Sequence, residues 1–389
     1  MSGVPPAELE ALLRLRCVPH LSDARVRMLL AEHGSAEALL RLPSHALGSH
    51  GHERDSVRTA GRVARALRVV DELNVVVLRH GTAGYPPALD QLHRPPLLLF
   101  GRGRLELLEM RGVAVVGTRR PAEYGTGAAA HLAAGIARAG LVVWSGLARG
   151  IDAVAHRAAL EADGDTAAVL GCGIDVAYPR EHEGLAEQIA VDGLLITEYL
   201  PGEPPLPHHF PERNRIIACL AAAVLVVEAR EDGGALITAE QATELDRPVM
   251  AVTGPIGRVT SYGPNRLIQD GAKLVMEVAD VLEELGWELN AAAARPRPSA
   301  RRRWRAKQPA RGAARAPTPV PRRPEPPARA AVAARYLSLW QAFGAEARHV
   351  DDLAARCAQP VATVLGLLLE LELDGRVRHL GAQRYRRVA

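Results

Sequence analysis

The stretch WSGLARGIDAVAHRAAL (144–160) joins an apolar strand end to a helix through a turn of small residues carrying one arginine. The first-turn amides of a helix have no intrahelical partner, so strand, tight turn and helix start together make an anion site. Ser145, Gly146 and Gly150 permit the turn, and Arg149 adds charge. A nucleotide, a free phosphate or a nucleic-acid backbone would each suit it. Asp152 in the first helical turn is favoured by the helix dipole whatever the function, and His156 one turn later reads as a packing residue.

Other turns narrow the choice. VAVVGTRRPAEYG lacks the G-x-G-x-x-G through which a backbone approaches a dinucleotide pyrophosphate. It offers Gly117 followed by Thr118 and Arg119, which places a guanidinium where a phosphate would sit. An ion pair with a nearby carboxylate is the plainer use of Arg119. AAVLGCGIDVAYP supplies Gly171 and Gly173, but Val176 stands at the third glycine position. The chain has no G-x-x-x-x-G-K-[ST], G-x-S-x-G or H-E-x-x-H pattern, so P-loop, nucleophile-elbow and zinc-protease chemistry are unsupported.

HHFPERNRIIACL (208–220) gathers His208, Phe210, Arg213, Asn214 and Arg215 into what reads as a loop before a helix starting near Asn214. Arginines clamp phosphates and an aromatic ring stacks on an unpaired base, a combination suited to single-stranded nucleic acid. Adjacent histidines without an acidic or cysteine partner at ligand spacing do not make a metal site. EDGGALITAE (231–240) sets Gly233 and Gly234 before a helix, and GPNRLIQDGAKLV (263–275) adds Asn265, Arg266 and Lys273. No cofactor is expected.

The elements that would carry these turns alternate regularly. Short apolar runs at 113–117, 141–146, 166–171, 194–198, 223–229 and 247–254 are separated by segments long enough for crossover helices. Continuous rather than alternating apolarity marks strands buried on both faces. Residues 75–285 therefore read as a doubly wound α/β domain on a parallel sheet, with the glycine turns at the carboxyl ends of its strands. Residues 1–74 show helical spacing, with Ser22 a plausible N-cap. Residues 286–330 form a disordered Ala/Arg/Pro linker in this reading, and 331–389 a winged helix with a hairpin about Gly381.

Composition bounds the function. Hydrophobic residues make up 48% of the 389, enough for a real core, with few aromatics, so Ala, Leu and Val must fill it. The net charge of +4 conceals an asymmetry: residues 291–330 hold twelve Lys or Arg against Glu325, leaving 36 basic and 43 acidic residues elsewhere. The basic pI thus reflects one segment and does not itself mark the folded parts as nucleic-acid-binding. Without a run of about 18 apolar residues no membrane span is expected. The N-terminus lacks a secretory pattern, and scattered Cys17, Cys172, Cys219 and Cys357 read as reduced thiols of a cytoplasmic protein.

Taken in order, YPPALDQLHRPPLLLFGRG, VAVVGTRRPAEYG, SGLARGIDAVAH, AVLGCGIDVAYP, FPERNRII, VLVVEAREDGGALITA and GPNRLIQDGAKLV resemble the DNA-processing protein A family (DprA, also called Smf) over roughly residues 75–280. The resemblance implies a single-stranded-DNA-binding recombination mediator without known catalytic chemistry, active in natural transformation. It also implies an extended Rossmann-like, doubly wound, mostly parallel sheet over 75–285, RecA recombinase as partner, a homodimer formed through that Rossmann-like domain, an N-terminal helical domain (SAM or helix-hairpin-helix-like) and a C-terminal winged helix. Thr118 stands where the family usually has serine. Gly233, Gly234 and Ala235 replace a Ser-Gly-Ser turn, removing two hydroxyls. His20 and Ser22 occupy positions where helix-hairpin-helix relatives carry the glycines that approach a phosphate, so the N-terminal domain reads as a packing or interaction module. Two rivals remain. A nucleoside monophosphate phosphoribohydrolase would need P-G-G-x-G-T-x-x-E, which DGGALITAE matches only at the glycine pair. A regulator acting through the winged helix would need a reading helix, but PVATVLGLLLELE is leucine-rich and acidic.

Overall fold

A computed structural model describes residues 4–18, 21–43, 47, 57–287, 336–343, 348–373, 377–379 and 384–387. The linker expected at 286–330 lies outside these apart from its first two residues, as does the Gly381 turn. The chain divides into two compact units, Met1–Pro309 and Ala310–Ala389.

The first unit opens with α1 (Pro6–Arg16), α2 (Asp23–His33), α3 (Ala36–Arg41) and α4 (Val57–Glu72). Ser22 caps α2 by accepting from the Arg25 amide, and Ser35 caps α3 through the Ala38 amide. These helices share a core with the sheet that follows: Leu12, Leu39 and Val63 cluster with Leu98, Phe100 and Leu170. Polar ties reinforce the contact. The Arg16 guanidinium donates to the Glu198 carbonyl, and Asp23 accepts from the Leu97 amide.

The sheet has nine strands: β1 (Val76–Arg79), β2 (Leu98–Gly103), β3 (Gly112–Val116), β4 (Val142–Ser145), β5 (Thr166–Val169), β6 (Leu194–Thr197), β7 (Ala223–Val226), β8 (Val249–Ala251) and β9 (Lys273–Leu274). Their order is β1-β2-β6-β5-β4-β3-β7-β8-β9. β6 through β9 in that order pair in parallel, while β1–β2 and β2–β6 are antiparallel. The central apolar runs are strands because both faces are covered. Val113 and Val115 face α5 (Glu123–Arg138) and α6 (Ile151–Glu161) in one core, whereas Ala114 and Val116 face α8 (His209–Leu220) and α9 (Gly234–Glu244) in another. Helix α7 (Glu183–Asp192) follows β5; α10 (Tyr262–Gln269) and α11 (Val278–Glu284) flank β9. Strand order reverses between β3 and β7, which opens a crevice there at the carboxyl edge.

The second unit runs α12 (Leu337–Ala342), β10 (Arg348–His349), α13 (Val350–Cys357), α14 (Val361–Leu373), β11 (Val377–His379) and β12 (Arg384–Arg387). Its three strands pair antiparallel in the order β10-β12-β11, and Leu339, Val350, Leu353, Val364 and Leu368 form its core. This is a winged-helix arrangement. Among the described residues no helix is long and apolar enough to cross a membrane.

Candidate nucleic-acid interface

The crevice between the β3 and β7 turns encloses about 430 Å³, in the range of ligand clefts. Thr118 and Arg119 form one wall, Phe210 and Asn214 another, and Gly233 and Gly234 a third. A small slot beside it, about 30 Å³, is bordered by Arg119, Gly146, Arg149, Tyr178 and Phe210.

Helix α8 begins at His209, five residues before the start expected near Asn214. Pro211 is tolerated because the first helical turn needs no amide donors. Segment 208–215 is therefore mostly helix, and helical spacing sorts its side chains. Phe210, Arg213, Asn214 and Ile217 share the crevice face at i, i+3, i+4 and i+7. Arg215 turns away and pairs with the buried Glu198 carboxylate. His208 is exposed, edge-on to His209, and does not border the crevice. His209 is buried, stacked on Tyr199 and donating through Nδ1 to the Gly171 carbonyl.

Arg119 is exposed and has no ion pair among the described residues, so the carboxylate alternative fails. Its guanidinium lies over the Phe210 ring, 5.4 Å from the centroid, and Phe210 packs at 5.3 Å against Tyr178. The turn carrying Arg119 is held from beneath: the Thr118 amide donates to the Glu228 carbonyl at 2.6 Å, and the Ala122 amide to its carboxylate at 2.8 Å. A Cβ on Gly117 would come within 2.6 Å of Ile151.

The 145–150 turn is strapped rather than open. Ser145 is fully buried and its hydroxyl donates to the Val115 carbonyl. Asp152 accepts from the Gly146 and Ala148 amides at 3.1 and 3.4 Å. Arg213, 3% exposed, donates to the Gly146 and Val169 carbonyls. Leu147 has φ 55° in the left-handed region, and its carbonyl accepts from His182 Nδ1 at 3.0 Å. Gly150 has φ 76°, and a Cβ there would lie 2.3 Å from the Thr118 carbonyl oxygen. Burial pushes the Asp152 carboxyl above its usual range, against the pull of Arg213. Burial equally lowers Arg213, although a guanidinium stays charged. The α6 amides expected to face an anion lie beneath this strapping, with the Ile151 amide donating to the Thr118 carbonyl. Only Arg149 of the turn projects outward; Glu181 holds it by two bonds of 2.7 and 2.8 Å and lowers its own carboxyl range in doing so.

An uncapped helix start does open onto the crevice, but it belongs to α9. Gly233 is its N-cap and no side chain caps it; Asn214 ties in by donating to the Gly234 carbonyl. Arg230, paired at 3.3 Å with exposed Asp232, stands at the rim. Lys273 lies on edge strand β9, pairs with Glu283 at 2.9 Å and is not part of the crevice. Asn265 is spent bracing the Gly254 backbone by two bonds of 3.0 Å.

Tyr178, Asp152, His182, Glu228 and Glu181 thus shape the site without having been singled out as contacts. Tyr178 carried a legible signal, an aromatic in a glycine-strand motif; His182, Glu228 and Glu181 find partners distant in sequence, whereas Asp152 accepts from amides within its own turn.

A family model described as DNA recombination-mediator protein A matches residues 76–286, and one described as the DprA winged helix domain matches residues 323–383. The Smf protein of Escherichia coli is 39% identical over 296 residues, covering 75% of this chain and 72% of the relative. DNA processing protein A from Streptococcus pneumoniae superposes with a TM-score of 0.61 at 35% identity, over 75% of this chain and 100% of that one. The Helicobacter pylori protein of the same name, solved to show its single-stranded DNA binding mode, gives 0.51 at 28% identity, over 56% and 98%. With these matches over more than half of its length and a winged helix in its second unit, the chain belongs to the DNA recombination-mediator protein A family.

Proposed function

We propose that the β3/β7 crevice binds single-stranded DNA for recombination mediation. The observation that carries this reading is Arg119, unpaired and lying over Phe210 at the crevice mouth. Arg119 and the open start of α9 hold phosphate, while Phe210 and Tyr178 offer ring faces that paired bases cannot use. Thr118, Asn214, Gly233 and Gly234 line the path. Ser145, Gly146, Gly150 and Arg213 act by positioning, and Arg149 reaches a phosphate only by leaving Glu181. The mediator works without catalysis in this reading: the carboxylate on the crevice wall, Asp152, is buried and occupied by two amides. The test is anisotropy of labelled oligo-dT with the full chain over a salt series. Arg119→Ala together with Phe210→Ala should weaken binding by more than about tenfold, from a stacking loss of about 1–3 kcal/mol and one phosphate contact. Unchanged affinity sinks the reading. The same variant should fail to stimulate RecA-mediated strand pairing.

A homodimer through the Rossmann-like unit fits large apolar side chains left exposed on the segments that follow β8 and β9. Ile256 is fully exposed, Met276 76% and Tyr262 55% exposed, and exposed apolar surface of this kind marks association surfaces. Ile256→Glu with Met276→Glu should give a monomer by sedimentation equilibrium; a dimer of unchanged strength rejects this face.

A further inference from the structure

The winged-helix unit carries its cations on a strand rather than on its helix. β12 reads Arg384-Tyr385-Arg386-Arg387, and strand alternation divides it into two faces. Tyr385 packs against the unit's core, and the Arg387 guanidinium lies 4.2 Å from the centroid of Trp340. Arg384 and Arg386 are exposed on the opposite face. Register places Arg378 of β11 directly across from Arg386, and His349 of β10 across from Arg384. Among the described residues neither Arg384 nor Arg386 has an ion pair. By contrast α14, in the position of a groove-reading helix, has no Lys or Arg and carries Glu370 and Glu372.

We propose that the solvent face of strand β12 is a second nucleic-acid site, one that grips the phosphate backbone. Guanidinium forks two residues apart on a strand, about 6.8 Å, are spaced to take successive phosphates. An acidic α14 is repelled from a groove, so β12 supplies the contact and no base is read. Tyr385 and Trp340 turn toward the helices, so among the described residues this face offers no Tyr, Trp or Phe ring to stack on an unpaired base. The site therefore takes duplex as readily as single-stranded DNA, unlike the crevice, and it does not depend on the crevice reading.

The test uses the full chain and a blunt-ended labelled duplex over a salt series. Arg384→Ala with Arg386→Ala should weaken duplex binding about tenfold at low salt and reduce the log–log salt slope by about 2, at roughly 0.9 per phosphate released. Arg384→Lys with Arg386→Lys should keep the slope, since charge rather than base geometry is used. Arg119→Ala should leave duplex binding alone while weakening oligo-dT binding, so failure of the two sites is separately visible. Duplex affinity and slope unchanged by the alanine pair would overturn the proposal and assign duplex binding to the arginine run at 291–330.

Discussion

Two glycine turns at the same edge of one sheet, 145–150 and 230–235, look alike in sequence and do opposite things. In the first, glycines make room for protein: a Cβ on Gly146 would meet the Arg213 guanidinium at 2.3 Å. In the second, a Cβ on Gly234 would meet nothing within 4 Å. The first turn encloses Asp152, Arg213 and His182 and fixes the shape of the crevice wall. The second leaves a helix start facing the crevice. Glycines in such turns therefore do not by themselves say that the backbone needs space, and only the neighbours tell where protein fills it.

Substitutions on the strapped side should be costly in stability. Arg213→Met leaves the buried Gly146 and Val169 carbonyls without their donor and removes the charge beside Asp152. We expect a loss of about 3–5 kcal/mol in urea denaturation. A loss below about 1 kcal/mol would mean that the turn holds itself.

The same side should also carry acid sensitivity. His156 is fully buried; its Nδ1 donates to Thr166 Oγ1 at 2.7 Å, because that hydroxyl donates onward to the Val143 carbonyl. Burial lowers its pKa from 6.5 to about 3. Between these values the unfolded chain holds a proton that the native chain excludes, so stability falls as pH drops from 6.5 towards 3. The slope reaches about 1.4 kcal/mol per pH unit, or about 3 kcal/mol by pH 4. His156→Gln should flatten the denaturation midpoint against pH by that one proton, and an identical profile would exclude His156 as its source.

Smaller effects discriminate the turns most directly. Gly146→Ala should cost about 1–3 kcal/mol by overpacking against Arg213. Gly234→Ala, at the start of α9, should be neutral or stabilise by up to about 1 kcal/mol. Equal melting shifts for the two would erase the distinction.

The sheet was largely legible because β3, β4, β5, β6, β7 and β8 are buried on both faces and read as unbroken apolar runs. β1 and β2 were not read as strands of this sheet. They pair antiparallel at its edge and are separated by the Pro-rich 86–96 segment, so no crossover pattern announces them. Thr118, Arg119, Phe210, Asn214, Gly233 and Gly234 do meet at one crevice, since each lies just beyond a central strand or on the first turns of α8. Arg215 and Lys273 do not, because Glu198 and Glu283 take their charges. Arg213 is buried one helical turn from Phe210, a position fixed only once α8 was seen to begin at His209.

Apolar runs and glycine turns, whose reach is a few residues, determined by themselves that this chain forms a parallel sheet with its turns gathered at one edge. Which arginines stay free was decided by tertiary structure alone. A guanidinium at the end of a long side chain bonds to whatever carboxylate or carbonyl the fold brings within about 3 Å. For Arg213 that is the carbonyl of Gly146, distant in sequence and adjacent in space. For Arg119 it is the face of Phe210, which leaves its charge available.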